Sequence, residues 1–327
     1  MNRQETDQMM MRRCLQLARN GLMGARPNPM VGCVIVAQEE RGDDSVGRII
    51  GEGYHVRCGE GHAEVNAFAS VRPADEPLLR EATVYVSLEP CAHFGKTPPC
   101  ADLIVSKGVR RVVVGTIDPF AKVQGRGIEK LRRAGIEVTV GVLEAECREL
   151  NRRFFTFHQH QRPYIILKWA QTQNGYLDDN YRPLAISTPF TQMLSHRLRA
   201  EEDAIVVGRV TDEREHPQLT VRHWRTAASS LGSERNPVRF VLSKDYSLEQ
   251  LIGDCRERNL QSLIVEGGAK THQSFLSKGL WDEIRVETAP ITVSGGTCAC
   301  PLPSEAKIVS RETYDHNTII TYRRASI

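Results

Sequence analysis

The sequence predicts an α/β protein of two consecutive domains, and three observations carry the prediction. The chain has 327 residues, more than a single hydrophobic core ordinarily serves. Short runs rich in valine and isoleucine alternate with amphipathic stretches, the pattern of strands and helices in a layered sheet. The alternation starts afresh at Pro163, after a long charged helical stretch. The expected division is a first domain at 1–150, a connecting helix at 151–162 and a second domain at 163–327.

Composition narrows the class. With 40% apolar and 25% charged residues the chain reads as an ordinary globular protein. The net charge of +3 is close to balance and its signs are interspersed, which argues against a nucleic-acid footprint. No apolar run reaches membrane-spanning length, so no membrane partner is expected. Met1–Arg13 mixes both charge signs and lacks the apolar core of a signal peptide. Nine scattered cysteines read as reduced thiols, and the expected location is the cytoplasm.

In order, residues 8–19 form an amphipathic helix with Gly21 beyond it as a stop. Met30–Val36 and Arg48–Tyr54 are strands joined by a charged loop, Ala37–Ser45. A helix over His62–Val71 carries His62 and Glu64 in its first turn. Ala82–Leu88 is a third strand, and Pro98-Pro99 opens a helix with Cys100 near its positive end. Arg110–Thr116, a helix over Gly127–Ala134 and Glu137–Val140 follow. Glu144–His160 is one long mixed-charge helix, the connector. The second domain begins with Tyr164–Trp169, then a helix from Thr188 to Ala200 and the strand Asp203–Gly208. Val238–Leu242, the helix Leu248–Asn259 and the strand Ser262–Glu266 come next. Gly267-Gly268, a helix from Lys270 to Ser277, and strands Trp281–Glu287 and Thr318–Arg323 complete it.

The chemistry concentrates between His62 and Cys100. One imidazole and two thiols, from His62, Cys91 and Cys100, make three zinc ligands and leave a fourth position open, the mark of a catalytic site. Glu64 is too near His62 in the chain to be a comfortable fourth ligand, but it is well placed as a proton shuttle. His-x-Glu followed by Pro-Cys and a second Cys is the signature of zinc-dependent deaminases. The bland alternative is a closed structural site with His93 as fourth ligand. Nucleobase deaminases carry Cys-x-x-Cys. Here eight residues separate the thiols, among them His93, Lys96 and Thr97, and such groups suit a phosphorylated small molecule.

Arg26–Gly32, Gly51–His55, His62–Val65 and the Cys91–Cys100 loop together resemble the bifunctional deaminase/reductase of riboflavin biosynthesis. The resemblance runs from about Met10 to Leu150 and, more patchily, from Arg162 to the end. It implies a cytidine-deaminase-like α/β domain followed by a dihydrofolate-reductase-like α/β domain. It implies one Zn2+ per chain, NADPH, a phosphorylated pyrimidine as substrate and a homo-oligomer. Asn28 matches a position that contacts the substrate ring, though Pro-Asn-Pro is equally a turn. Lys96 matches a substrate position in the inter-thiol loop, and His55 matches a family residue that could equally be structural.

In the second half the resemblance places Ala170, Thr211, Gly267 and Gly268 at the cofactor and Arg199, Leu219, Arg222 and Glu266 at the substrate. Glycines after a strand let helix N–H groups approach a phosphate, and arginine forks suit a sugar phosphate. There are departures. The family's aspartate before Pro217 is missing from Glu213–His216, its aromatic near Ala185 is absent, and Asn174 stands for Asp. The span from Arg222 to Glu266 is short and holds one expected strand instead of two. A deaminase with a weak or structural second half is therefore the competing expectation. A zinc-dependent RNA-modifying protein or a zinc-stabilised scaffold fits less well, given the charge balance and Glu64. Cys298-Ala299-Cys300 has no partner for a metal and reads as a loop with free thiols.

Overall fold

The computed structural model describes residues 2–37, 47–93, 98–120, 124–224 and 236–324. The chain divides into two compact units, Met1–Gln159 and His160–Ile327.

Unit 1 runs α1 (Arg3–Arg19), β1 (Gly32–Ala37), β2 (Arg48–Tyr54), α2 (Ala63–Ala69), a 3₁₀ helix (Pro73–Glu81) and β3 (Thr83–Leu88). It continues through α3 (Cys100–Lys107), β4 (Arg111–Thr116), α4 (Arg126–Arg133), β5 (Glu137–Val140), α5 (Glu144–Leu150) and α6 (Arg152–His160). The strands form one sheet in the order β2-β1-β3-β4-β5. β1 is antiparallel to both neighbours, while β3, β4 and β5 run parallel. Side chains alternate across the sheet, so one strand serves two cores. Cys33, Ile35, Val84, Val86, Val112 and Val114 pack with residues of α2, α3 and α4. Val34, Val36, Tyr85 and Val113 pack with Met10, Met11 and Cys14 of α1 and Cys147 of α5.

Two expectations for unit 1 need correction, and one element was not expected. α1 begins at Arg3, not at residue 8, because Asn2 and Glu5 form a capping box over a polar first turn. The continuous helix expected over Glu144–His160 is broken at Asn151, whose backbone (φ −106, ψ 25) leaves the helical region. The Asn151 carboxamide is used elsewhere, accepting from Met30 N–H and donating to Met30 C=O, both at 2.8 Å. The 3₁₀ helix had no signal, since it contains two prolines and little apolar periodicity. Residues 38–45 of the expected Ala37–Ser45 loop lie outside the described residues, though β1 and β2 pair as its ends require.

Unit 2 contains β6 (Tyr164–Thr172), α7 (Pro189–Glu201), β7 (Ala204–Gly208), α8 (Arg209–Glu215), β8 (Val238–Leu242) and α9 (Leu248–Glu257). β9 (Ser262–Val265), α10 (Ala269–Ser277), β10 (Glu283–Ala289), β11 (Ala306–Tyr314) and β12 (Asn317–Arg324) complete it. The sheet order is β11-β12-β10-β6-β9-β7-β8. The five strands from β10 to β8 are parallel and β12 and β11 are antiparallel additions. Ile165, Leu167 and Trp169 of β6 face one core, Tyr164 and Ile166 the other.

β11 and α8 were not expected. β11 is exposed along most of its length and α8 buries no residue, so neither shows an apolar period. The last parallel strand runs Glu283–Ala289 rather than Trp281–Glu287; Trp281 lies before it, buried, under the Arg324 guanidinium at 4.8 Å. Between Arg222 and β9 one strand, β8, is found among the described residues, and it lies at the sheet edge.

Candidate active site

In unit 1 the site gathers where β3, α2 and α3 meet. His62 is the N-cap of α2, Cys91 follows the end of β3, and Cys100 opens α3. Cys100 Sγ and Cys91 Sγ lie 3.3 and 3.6 Å from His62 Nδ1. All three donor atoms fall within 4.8 Å of one another. Tetrahedral zinc with Zn–N and Zn–S bonds of ordinary length separates N from S by roughly 3.6 Å, so the donor set fits the ion. His93, the fourth ligand of a closed site, is exposed and outside the cluster.

The thiols are electrostatically split. The hydrogen bond from Cys100 and the neighbouring His62 hold Cys91 well below the ordinary thiol range. Cys100 is pushed up by the Cys91 sulfur and by burial. Cys91 Sγ also accepts from Cys100 N–H at 3.3 Å, the first amide of α3. A dication among the three would deprotonate both thiols.

Glu64 sits in the first turn of α2, 3% exposed. Burial raises its carboxyl above the ordinary range, with His62 pulling the other way. A buried carboxyl of raised pKa beside a metal site is the arrangement a proton shuttle needs.

Asn28 and His55 form a unit that sequence reasoning treated separately. His55 is buried, its Nδ1 3.1 Å from Gly61 C=O and its Nε2 3.1 Å from Asn28 Nδ2. Burial lowers the His55 pKa, so the ring is neutral, with its proton on Nδ1 toward Gly61. Its Nε2 lone pair then accepts from the Asn28 amide, which leaves Asn28 Oδ1 as the acceptor offered to a ligand. The His55 ring lies edge-on to His62, centroids 5.3 Å apart. Lys96 lies outside the described residues.

In unit 2 the expected residues gather at the carboxyl ends of the parallel strands, where open α/β sheets bind ligands. Glu266-Gly267-Gly268 follows β9, Thr211 lies in α8 after β7, and Ala170 is near the end of β6. A Cβ on Gly267 would stand 2.5 Å from Thr271 Cβ, and one on Gly208 2.3 Å from Thr271 Oγ1. The glycines therefore let two strand ends close on α10, whose N-cap is Gly268. Thr211 Oγ1 is 3.6 Å from where a Gly268 Cβ would lie. First-turn N–H groups beside small residues fit a cofactor phosphate. Ala170 is paired in register with Glu287 of β10.

The expected substrate residues behave differently from one another. Arg199 and Glu266 bond each other bidentately, Nε to Oε1 at 2.9 Å and Nη2 to Oε2 at 2.6 Å. Arg199 also donates to Thr220 C=O at 3.2 Å. Arg222 is exposed and bonds Thr220 Oγ1. Leu219 has a left-handed backbone, φ 53, and its side chain is buried in the core. What Leu219 can offer a ligand is backbone. Sequence reasoning missed His196, 4% exposed, whose ring meets His223 edge-on at 4.7 Å. Burial first, then Arg199 and Arg222, bring its pKa down to about 4.

The comparisons agree with this geometry. Residues 4–116 match the model of the cytidine and deoxycytidylate deaminase zinc-binding region. Residues 163–251 and 246–320 match that of the RibD C-terminal domain. The chain is 38% identical over 329 residues to the riboflavin biosynthesis protein RibD of Aquifex aeolicus, covering 89% of each. It is 41% identical over 364 residues to that of Escherichia coli K12, covering 96% of each. In fold it is similar, with TM-score 0.85 and 32% identity, to a diaminohydroxyphosphoribosylaminopyrimidine deaminase/5-amino-6-(5-phosphoribosylamino)uracil reductase of Thermotoga maritima, covering 99% of this chain and 100% of that one. A three-donor zinc cluster over a buried glutamate, a glycine turn at the strand ends and these likenesses converge: the chain belongs to the RibD family of riboflavin biosynthesis, enzymes that join a zinc deaminase to an NADPH-dependent reductase.

Proposed function

We propose that residues 1–150 deaminate 2,5-diamino-6-(5-phosphoribosylamino)pyrimidin-4(3H)-one and residues 163–327 then reduce the ribosyl group of the product to ribityl. The observation that carries this reading is the convergence of His62, Cys91 and Cys100 beside buried Glu64. Zinc, when held by those three, supplies the Lewis acidity that makes water nucleophilic at neutral pH. Glu64 takes one proton of the attacking water and delivers it to the ring nitrogen; it then takes the second, released as the new carbonyl forms, and delivers it to the departing ammonia. Asn28, oriented by His55, accepts from an N–H of the ring through Oδ1. Lys96 serves the phosphate end of the substrate.

In unit 2 NADPH supplies the hydride. Gly267, Gly268 and Thr211 receive its phosphates, and Ala170 lines its ring end. Arg199 is committed to Glu266, so Arg222 takes the substrate phosphate while the Arg199–Glu266 pair shapes the sugar pocket. Leu219 contributes backbone. The parallel strand ends support a working reductase rather than a structural remnant, despite the single strand between Arg222 and β9.

The enzyme is placed in the cytoplasm; free thiols at all nine cysteines support this. Among the described residues no helix is long and apolar enough to cross a membrane. A homo-oligomer is supported by the outermost strand β11, whose Ile308 and Val309 are 55% and 50% exposed beside an unpaired edge. The deciding experiment incubates the purified protein with the diaminopyrimidine phosphate, with and without NADPH, and identifies the products by mass. Deaminated product alone without NADPH, and ribityl product with it, is the expected result. No ammonia release with zinc loaded would refute the reading.

A further inference from the structure

Glu89 precedes Pro90-Cys91 and is 4% exposed, yet the chemistry above makes no use of it. Its backbone N–H donates to Thr116 C=O at 2.9 Å, continuing the sheet one residue past β3. Its carboxylate accepts four backbone amides. Oε2 takes Gly125 N–H at 2.9 Å and Asp118 N–H at 3.3 Å; Oε1 takes Gly127 N–H at 2.9 Å and Ile128 N–H at 3.4 Å. Three of these amides belong to the N-terminus of α4, where amides lack partners and a negative charge is favoured. α4 also touches the ligand turn directly, for a Cβ on Gly127 would lie 2.0 Å from Pro90 O. On the other side Cys91 is held by α3, its C=O accepting from Ala101 N–H at 3.1 Å and its Sγ from Cys100 N–H at 3.3 Å.

We propose that Glu89 is a positioning residue for the metal: its carboxylate pins the start of α4 against Pro90, and so fixes Cys91 Sγ opposite His62 and Cys100. The carboxylate accepts from all four amides, whereas a carboxamide accepts on one atom and turns an NH2 toward two N–H donors. Given His62, Cys91 and Cys100 as ligands, Glu89→Gln loosens one corner of the site without removing a ligand.

The test uses the full chain, loaded with zinc and, separately, with cobalt(II). Competition with a chromogenic chelator reads zinc affinity. The cobalt d–d and thiolate-to-cobalt absorption bands read ligand geometry. The expected result for Glu89→Gln is a zinc affinity lower by about 10–100-fold, the range for groups that orient a ligand, with shifted cobalt bands. Gly127→Ala, which leaves the charge in place but pushes α4 off Pro90, shifts both readouts in the same direction. It decides the matter if circular dichroism shows Glu89→Gln to be unfolded. Affinity within twofold of wild type and an unchanged cobalt spectrum in the folded variants would overturn the role of Glu89. A wild-type chain that takes up no zinc would instead overturn the ligand assignment itself.

Discussion

Replacing Glu266 by Gln tests the buried ion pair of unit 2. Arg199 and Glu266 expose 13% and 9% of their side chains, so the guanidinium stripped of its partner would be left with little water. Removing one member of such a pair costs about 3–5 kcal/mol. Glutamine keeps one acceptor for one of the two bonds, which places the expected loss near the lower end, about 3 kcal/mol. Unit 2 spans residues 160–327, and for a domain of that size each kcal/mol moves the midpoint by about 2–4 °C, so Tm should fall by roughly 6–12 °C. The assay is built into the sequence. Trp169, Trp224 and Trp281 are the chain's three tryptophans and all lie in unit 2, so their fluorescence follows its unfolding alone. The pH dependence has a definite sign. Burial pushes the Glu266 carboxyl up, but Lys168 and the charge and hydrogen bonds of Arg199 outweigh it and hold it below the usual range. A depressed folded-state pKa stabilises fully above the unfolded value, about 4.3, and the benefit is lost as pH falls through the folded value. The gap between wild type and variant should therefore be widest at neutral pH and close below about pH 4. Equal midpoints at pH 7, or a gap that widens on acidification, would refute the reasoning.

Glu64→Gln should keep its zinc and lose deamination by about 10²–10⁴-fold, while reduction of supplied deaminated substrate continues; near-normal ammonia release removes Glu64 from the chemistry. Cys100→Ser should lose most of its zinc by metal analysis, and an unchanged content would show the ligand set to be wrong. Gly267→Ala drives a Cβ into Thr271, so saturable NADPH binding followed by cofactor fluorescence should vanish with deamination intact. Asn174→Asp should cost about 1 kcal/mol in urea unfolding read by tryptophan, because the Asn174 amide donates to Val293 C=O at 2.8 Å and a carboxylate cannot.

The clustering of His62, Cys91 and Cys100 was legible because donor chemistry is carried by residue type and order. The sheet strands were legible where both faces are buried, as in β1, β3 and β4, since burial writes a continuous apolar run. β11 left no such trace because its order comes from pairing with β12 rather than from apolar burial. Pairings distant in sequence were illegible for another reason. Arg199 and Glu266 are 67 residues apart, one in α7 and the other just after β9, and only the folded chain brings them together. Both were expected at the substrate as separate contacts, and the structure joins them. Asn28 and His55 likewise read as two independent candidates until the fold put them 3.1 Å apart. Glu89 sits inside a motif whose metal ligand drew the attention, and nothing in the sequence tells a carboxylate that caps a remote helix from one that faces solvent.

The break at Asn151 decides where the molecule can be cut. A truncation after Leu150 would follow the boundary expected from the sequence, at the end of α5, but it would delete the carboxamide that holds both polar groups of Met30, two residues from Asn28. It would also strip Phe154 and Phe155 from their cluster with Leu88 and Val31. Severed after Gln159 instead, the first unit retains α6 nearly whole, with Asn151, Phe154 and Phe155 in place. Gene fusions and fissions that separate the two activities are thus expected to fall in the few residues between His160 and Pro163, where the chain passes from the last helix of one unit to the first strand of the next.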